Sequence, residues 1–273
     1  MTQSRSESTP LNRWIALVRA PAERLEACEL THVAREPIDV ALAHGQHEGY
    51  CKALGSLGIE VQRLPGLPEH PDSVFVEDVA VVLDEVAIVT RPGAASRRDE
   101  VRGLDEYLAP FRTVARIPAP ARLDGGDVLL RDRQIWIGRS SRTDDAGIDA
   151  FREIAQPHGY EVETVAMPSA LHLKTAVGLL PDNSLLVRPE WLPRGAFAGI
   201  PTTVAPPGEP FGANVLTLGT HVVLPAEHPE TAALLREKGF LTVPVPYSEP
   251  LKAEAGVTCA SIVFAAGLPS ISG

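Results

Sequence analysis

The fold of this chain depends on the stretch GVTCASIVF, residues 256–264. The stretch carries no charge, is rich in β-branched side chains and begins with a glycine, which predicts a short buried strand over residues 259–264. A lone cysteine in such a strand is most often a small packing residue. Cys259 stands near the start of the predicted strand, however, where its side chain can reach a cleft.

Three other stretches have the same design, a polar or charged cluster that leads directly into an apolar strand. They are SVFVEDVAVV at residues 73–82, LDGGDVLL at residues 123–130 and LHLKTAV at residues 171–177. Acids, a histidine and a thiol at matching positions of similar units are hard to explain by packing. The four stretches therefore predict one shared site.

The composition is that of an ordinary globular protein: 273 residues, 44% hydrophobic and 22% charged. A net charge of −10 argues against nucleic acid as a partner, and no stretch approaches the roughly 20 apolar residues of a membrane helix. Residues 1–12 are polar, lack the apolar core of a signal peptide and are predicted to form a loose tail before one domain over residues 13–273. The three cysteines include no CxxC pair, so we expect a cytoplasmic protein without disulfides or structural zinc.

Internal repetition organises the chain. Four units follow one another, each with a pair of short strands, and in most of them a helix and a third strand come next. The predicted strands are 79–83, 86–90 and 113–117; 128–130, 134–138 and 162–165; 176–180 and 184–188; and 215–218, 222–224 and 241–245. The predicted helices are 96–108, one from a cap at residues 140–144 to about 158, and 229–238.

The two ends of the chain supply the parts of a fifth unit. A strand at 14–18, a helix at 40–57 and a strand at 60–64 stand at the front, and the strand at 259–264 stands at the back. We therefore expect the C-terminal strand to close a ring onto the N-terminal one. Five ββαβ-like units predict an α/β propeller-like architecture. A doubly wound sheet is disfavoured because paired strands precede each helix and no glycine-rich phosphate loop is present.

In such a ring the leading ends of the units converge on one central pocket. The polar residues expected around it are Glu77, Asp78, Asp124, Asp127, His172, Lys174 and Cys259. A cysteine nucleophile needs a base or a positive neighbour, which His172 can supply, and an acid, for which we choose Asp124, would orient the imidazole. The remaining carboxylates are costly to bury without a cation. A planar guanidinium, which two carboxylates can bind through paired hydrogen bonds, resolves this cost.

Six motifs in order resemble the dimethylarginine dimethylaminohydrolase family of guanidine-modifying enzymes, and the resemblance extends from about residue 14 to residue 264. They are FVEDVAVV (75–82), TRPGA with SRR (90–98), LDGGDV (123–128), SRT (141–143), LHLK (171–174) and VTC (257–259). The resemblance implies a five-bladed α/β propeller with pseudo-fivefold symmetry. It also implies that Cys259 is the nucleophile, His172 the general acid and base, and Asp124 its partner acid.

The resemblance also implies residues for the amino-acid end of the substrate. Asp72 would bind the α-amino group, and Arg97 and Arg142 the α-carboxylate. Leu30 matches a residue on a loop that covers the substrate. Ala253 matches a position that contacts the substrate through its backbone, although a larger aliphatic side chain is expected there.

At the guanidinium end, the resemblance gives Asp78, assisted by Glu77, the role of binding the substrate. Arginine deiminases, which resemble this chain in fold and in the Cys, His and acid positions, have an aspartate two residues after the histidine. Lys174 stands there instead, which removes an acceptor for the extra N–H groups of arginine and favours a methylated substrate. We expect its charge to point towards Glu77, Asp127 or another acid; a solvated residue at a strand end is the alternative.

The sequence thus predicts a hydrolase that converts Nω-methylated arginine to citrulline and a methylamine through a covalent thiouronium on Cys259, without metal or cofactor. The partner is a small molecule, with neither nucleic acid nor membrane, and a homodimer is left open. An arginine deiminase-like hydrolase and a non-catalytic amino-acid-binding or zinc-binding module are the alternatives. Residues 189–210, rich in proline and glycine, match the family poorly and receive no role.

Overall fold

The computed structural model describes residues 13–267 and contains five three-stranded sheets of one design. An inner strand pairs antiparallel with a middle strand, which pairs parallel with an outer strand. In chain order the strands of this described part are β1 (Trp14–Val18), β2 (Glu60–Arg63), β3 (Ala80–Val82), β4 (Val86–Val89), β5 (Thr113–Arg116), β6 (Val128–Arg131), β7 (Gln134–Arg139), β8 (Glu161–Ala166), β9 (Val177–Leu179), β10 (Leu185–Val187), β11 (Thr202–Val204), β12 (Leu216–Leu218), β13 (His221–Pro225), β14 (Leu241–Val245) and β15 (Ile262–Ala265).

The ring closes as the sequence predicts. The first sheet has the order β15-β1-β2, so the last strand supplies the inner position of the blade whose other strands begin the chain. Trp14 pairs with Ala265 and Leu17 with Ile262 in the antiparallel ladder. The inner strand β15 also contacts β3, and β9 contacts both β6 and β12. The inner strands therefore face one another around a common axis.

Helices connect the middle and outer strands in four of the five blades. Within residues 13–267 the α-helices are α1 (Val40–Ser56), α2 (Leu104–Leu108), α3 (Asp145–Ala155), α4 (Leu173–Ala176), α5 (Pro229–Glu237) and α6 (Ser248–Lys252). The helix predicted at 96–108 is broken into a 3-10 helix, Ala95–Val101, and α2, because Gly103 between them adopts a left-handed conformation with φ +78°.

The fourth blade lacks this helix among its described residues. Residues 189–210 contain only the 3-10 helix Pro189–Trp191 and turns before β11, a strand that the sequence analysis missed. The run Thr202–Val204 is only three residues long and lies close to prolines on both sides, so it gives almost no strand signal.

The prediction that the polar clusters enter strands directly is wrong in detail. One helical turn stands before four of the five inner strands in the described chain: 3-10 helices at Val76–Val79, Gly125–Asp127 and Val257–Ala260 before β3, β6 and β15, and α4 before β9. Cys259 therefore lies in a helical turn, and β15 begins only at Ile262. Asn214 explains the difference, because its side chain bonds both the backbone N–H and the hydroxyl of Thr258 and fixes the turn against local strand propensity.

Apolar clusters between neighbouring blades hold the ring together. Ile88 of β4, Ile137 of β7 and Phe151 of α3 are fully buried in one such cluster, and Val18 and Val223 join the first and fifth blades in another. Each fully buried side chain of this kind contributes about 1.5–3 kcal/mol. Throughout the described chain, every helix is too short or too polar to cross a bilayer.

Candidate active site

The helical turns and the connections beside them place most of the predicted residues around one cavity. Its lining includes Asp72, Asp78, Arg97, Asp124, Arg142, His172, Ala253 and Cys259. Because these turns stand beside the ends of inner strands, one side chain at or next to each turn reaches this cavity: Asp78, Asp124, His172 and Cys259. The cavity is therefore built by the repeat itself.

Asp124 and His172 form the pair that the sequence predicts. His172 Nε2 lies 3.0 Å from Asp124 Oδ2, and Asp124 Oδ1 accepts the backbone N–H of Gly93 at 2.7 Å. Both side chains are buried. Gly126 must be a glycine here, because a Cβ at this position would lie 2.7 Å from His172 Nδ1 and 2.8 Å from Asp78 Oδ1.

Arg97 holds Asp78 in place from the protein side. Its Nη1 donates to Asp78 Oδ2 at 2.5 Å, its Nε and Nη2 donate to the carboxylate of Glu100, and its Nη2 also reaches the carbonyl of Phe75 at 3.0 Å. All three nitrogens thus have acceptors within the described protein. A contact of Arg97 with a substrate carboxylate remains a prediction, and it would have to share these donors.

The surrounding acids keep the imidazole of His172 charged. Burial by itself would lower the pKa of His172, but the charge of Asp78 and the hydrogen bond with Asp124 raise it to about 9. The charge of His172 in turn stabilises the ionised form of Asp78. Burial opposes the ionisation of Asp78, but His172 and Arg97 hold its pKa below the ordinary value. At neutral pH His172 is therefore a proton donor.

The thiol of Cys259 has the opposite tendency. Burial, together with the negative charges of Glu77 and Asp78, raises its pKa well above the ordinary value for a cysteine. Cys259 is partly exposed, unlike Cys28 and Cys51, which are buried. At neutral pH the cavity therefore holds a neutral thiol beside carboxylates that can receive a cation.

The prediction of a single pocket is wrong for Glu77 and Lys174. These residues line a second cavity, of about 420 Å³, which also reaches Thr258 and β-strand residues such as Val81. Lys174 Nζ lies 2.6 Å from Glu77 Oε1, and the hydroxyl of Thr258 donates to Glu77 Oε2 at 2.7 Å. The expected pairing of Lys174 with an acid is confirmed. Because Thr258 and Cys259 are neighbours, this pair lies beside the nucleophile on the far side of its turn.

Asp127 is also outside the cavity lining. It is completely buried, its Oδ1 accepts the backbone N–H of Leu173 at 2.9 Å, and its Oδ2 accepts the hydroxyl of Ser140 at 2.6 Å. Burial raises the pKa of Asp127 to about 6, despite the nearby charge of His172. Asp127 thus fixes the turn that begins just after His172.

Two of the residues predicted for the amino-acid end of the substrate, Asp72 and Arg142, contact residues 29–31, a segment whose Glu29 lines the cavity. Both oxygens of Asp72 lie 3.2 Å from the backbone nitrogen of Glu29, and Arg142 Nη2 lies 3.2 Å from the hydroxyl of Thr31. Burial raises the pKa of Asp72, while Arg97 opposes the rise. Leu30 packs in an apolar cluster that includes Ala253 and Cys259.

The sequence analysis missed several residues of the site. Glu29, Phe75, Thr175 and Glu254 also line the cavity. Glu100 binds Arg97 and is almost fully buried. Phe75 begins the motif at residues 75–82 but was given no role there, and Glu100 left a signal in its i,i+3 spacing to Arg97, which is typical of a helical ion pair.

Three of these groups could in principle share a metal ion. Ligand atoms of Asp78, Asp124 and His172 lie within 4.8 Å of one another. The guanidinium of Arg97 and the N–H groups of Gly93 and Gly126 already bond the two carboxylates. This arrangement suits an organic cation better than a metal ion, and the absence of a metal or cofactor remains a prediction.

Comparisons with known proteins agree with this geometry. A family model described as N,N dimethylarginine dimethylhydrolase, eukaryotic, matches residues 31–193. The N(G),N(G)-dimethylarginine dimethylaminohydrolase of Streptomyces coelicolor is 40% identical over 249 residues, which are 90% of this chain and 95% of that protein. The protein of the same name from Pseudomonas aeruginosa is 33% identical over 251 residues, 91% of this chain and 98% of the relative.

Solved structures extend the match to three dimensions. The Pseudomonas aeruginosa protein, solved as a cysteine-to-serine mutant complexed with citrulline, has a TM-score of 0.88 and covers 92% of this chain and 98% of its own. The N-terminal domain of ArgZ, covalently bound to a reaction intermediate, is 20% identical with a TM-score of 0.81, a likeness of fold alone. The predicted five-bladed α/β architecture and the predicted resemblance are both confirmed. The chain belongs to the dimethylarginine dimethylaminohydrolase family.

Proposed function

We propose that this protein hydrolyses Nω-methylated arginine to citrulline and a methylamine, with Cys259 as the nucleophile. One observation carries the proposal: the thiol of Cys259, the His172–Asp124 pair and the carboxylate of Asp78 line a single cavity. The family membership gives this set its substrate class. The relatives solved with citrulline and as an adduct with S-methyl-L-thiocitrulline support it.

The first half of the reaction begins with a cationic guanidinium beside Asp78. Its positive charge offsets the carboxylates that raise the pKa of Cys259, so the thiol releases its proton to solvent when substrate is bound. The thiolate attacks the guanidinium carbon and forms a C–S bond. Protonated His172 gives its proton to the methylated nitrogen, the C–N bond breaks and a methylamine leaves. The thiouronium remains on Cys259.

The second half uses the same imidazole in its neutral form. His172 takes a proton from water, and the resulting hydroxide attacks the thiouronium carbon. The C–S bond then breaks, and the hydroxyl proton of the adduct passes to the departing sulfur, which releases neutral citrulline, restores the thiol of Cys259 and leaves His172 protonated. Asp124 holds the ring and stabilises its charged form in both halves.

The remaining predicted contacts complete the proposal. Asp72 binds the α-amino group, Arg142 the α-carboxylate, and Arg97 shares in the latter while it holds Asp78. Leu30 and the backbone of Ala253 enclose the substrate. Glu77 and Lys174, which are paired with each other, influence the reaction through the charge they place beside Cys259.

Lys174 separates this proposal from an arginine deiminase-like activity. Lys174 carries an ammonium group where an arginine deiminase has a carboxylate. Because its Nζ lies 2.6 Å from Glu77 Oε1, the carboxylate of Glu77 is also occupied and is not free to accept the extra N–H groups of arginine. A dimethylated nitrogen has no N–H to donate and loses nothing by this arrangement. The pair lies outside the cavity of Cys259, so its support for the methylated substrate is limited to this lack of a free acceptor.

The test is citrulline release from dimethylarginine, monomethylarginine and arginine, compared as kcat/KM. We expect the ratio of dimethylarginine to arginine to exceed one; a ratio below one would support an arginine deiminase-like enzyme instead. Cys259→Ser should abolish turnover, whereas Cys51→Ser, which removes a buried thiol outside the cavity, should retain it. Binding without citrulline release would indicate a binding module, and loss of activity on chelation would indicate zinc. The cytoplasmic location belongs to the same proposal and is supported by the three free thiols.

A further inference from the structure

Glu254 lies in the cavity lining and has no role in the mechanism above. Its side chain is buried, and its carboxylate accepts the backbone N–H of Thr31 at 2.8 Å and that of His32 at 3.1 Å. These bonds connect the end of the chain to residues 29–35, here called the cover segment, more than 220 positions away. Leu30, the residue predicted to enclose the substrate, is the immediate neighbour of Thr31.

The backbone of Glu254 is unusual for a glutamate. It follows α6 and Ala253 with φ +59°, in the left-handed region where glycine ordinarily ends a helix. Ala255 continues the turn with a backbone bond to Pro250 at 3.1 Å. A glutamate held in this conformation indicates that the side chain has a use which glycine could not supply.

Two other attachments of the cover segment are ones that substrate would disturb, whereas the bond from Ser96 to the carboxylate of Glu29 holds only its first residue. Asp72 accepts the N–H of Glu29, and Arg142 donates to the hydroxyl of Thr31. Both groups are assigned above to the substrate's amino and carboxylate groups. When substrate binds, they are drawn towards it. The hydrogen bonds of Glu254 do not involve Asp72 or Arg142, so these bonds persist when substrate fills the cavity.

We propose that Glu254 is a positioning residue that holds the cover segment closed over bound substrate and thereby places Leu30 above the thiol. The proposal rests on the proposed function for its substrate. It predicts that loss of the Glu254 carboxylate weakens the retention of substrate. Cys259, His172 and Asp124 should continue to act, because among the described residues the Glu254 side chain bonds only the backbone of Thr31 and His32.

The main variant is Glu254→Gly, which removes the carboxylate while keeping a residue suited to φ +59°. We expect the thermal unfolding midpoint not to fall. KM for dimethylarginine should rise about tenfold, as for the loss of a charge-assisted hydrogen bond, with kcat within about twofold of the native value. Hydrogen exchange at the amides of Thr31 and His32 should become faster. Glu254→Gln, which keeps one acceptor oxygen, should give an intermediate KM.

The matched control is Glu249→Gln. Glu249 lies on α6, is equally buried and accepts the backbone N–H of Asp39 at 2.8 Å, but it does not line the cavity. Its variant should keep the native KM and the native exchange rates of the cover segment. The proposal is overturned if Glu254→Gly keeps both native values, or if the two variants raise KM equally. Failure of the native protein to act on dimethylarginine would overturn the proposed function alone, since the exchange experiment still tests Glu254.

Discussion

His172 is surrounded by acids, and each of them changes what its ring can do. Its imidazole bonds Asp124 at 3.0 Å and lies 3.8 Å from Asp78, so it keeps its proton up to about pH 9 in the substrate-free protein. Since kcat/KM reports the ionisation of the free enzyme, and since the leaving amine needs the proton, activity should be present below this pKa and lost above it. We expect kcat/KM for dimethylarginine to decline near pH 9.

Asp124→Asn provides the check on that assignment. The amide oxygen can still accept a hydrogen bond from the ring, but the negative charge that helps to raise the pKa of His172 is gone. The decline in kcat/KM should therefore move to lower pH in this variant. A decline that stays at the same pH in both proteins would show that another group sets it.

At this scale the sequence predicted the reacting groups better than the groups that hold them. Cys259, His172 and Asp124 were found because polar residues recur at the same place in successive repeats. Glu254 lies outside those places, and its carboxylate bonds the backbone of a segment more than 220 positions away. Long-range contacts of single side chains leave no periodic pattern to read.

The elements that carry the site are single helical turns rather than strand ends. Strands were predicted closely because apolar residues run through them, and the turns were not, because three or four residues cannot display a helical period. What fixes a turn is tertiary, as with Asn214 at Thr258. With the structure known, the glycines of the turns can be explained by close packing: a Cβ at Gly125 would lie 2.0 Å from the carbonyl oxygen of Glu77.

Gly126→Ala tests this account of the turns. The added methyl group would press on His172 and Asp78, so the ring must shift and kcat should fall at least about tenfold, as is typical when catalytic groups are displaced by small distances. Gly55→Ala is the control. Gly55 lies in α1, a Cβ added there would have open space around it, and alanine favours helices. Equal activity of the two variants, measured with dimethylarginine, would contradict the account.

On the scale of the molecule, the ring was predictable because the two ends of the chain were each incomplete repeats. The fourth blade was only partly predictable, since its connection has lost the helix that marks the others. The described structure also separates two cavities where the sequence suggested one, because residues next to each other in a turn, such as Glu77 and Asp78, point to different sides. The sequence of two adjacent residues does not indicate which of their side chains faces which cavity.

A circular permutant tests the ring. Trp14 and Ala265 are paired in the ladder, so residue 13 can be joined to residue 267 by a short Gly/Ser linker. New ends between Arg194 and Gly195, in an exposed turn, should leave a folded protein with kcat/KM within about threefold of the native value. New ends between the buried Ala176 and Val177 should abolish folding. The ring account fails if the first permutant is unfolded or if the second is active.

The pairing of β15 with β1 also sets the moment at which the protein becomes reactive. A ribosome delivers the chain from its amino end, and folding follows that order. By Val245 four blades have all their strands, while β1 and β2 still wait for a partner that emerges just after Cys259. A nascent chain therefore presents the acids and the imidazole without a nucleophile. Cys259 reaches His172 and Asp78 in the same folding step that pairs β15 with β1, so a polypeptide that ends before this step has no catalytic activity.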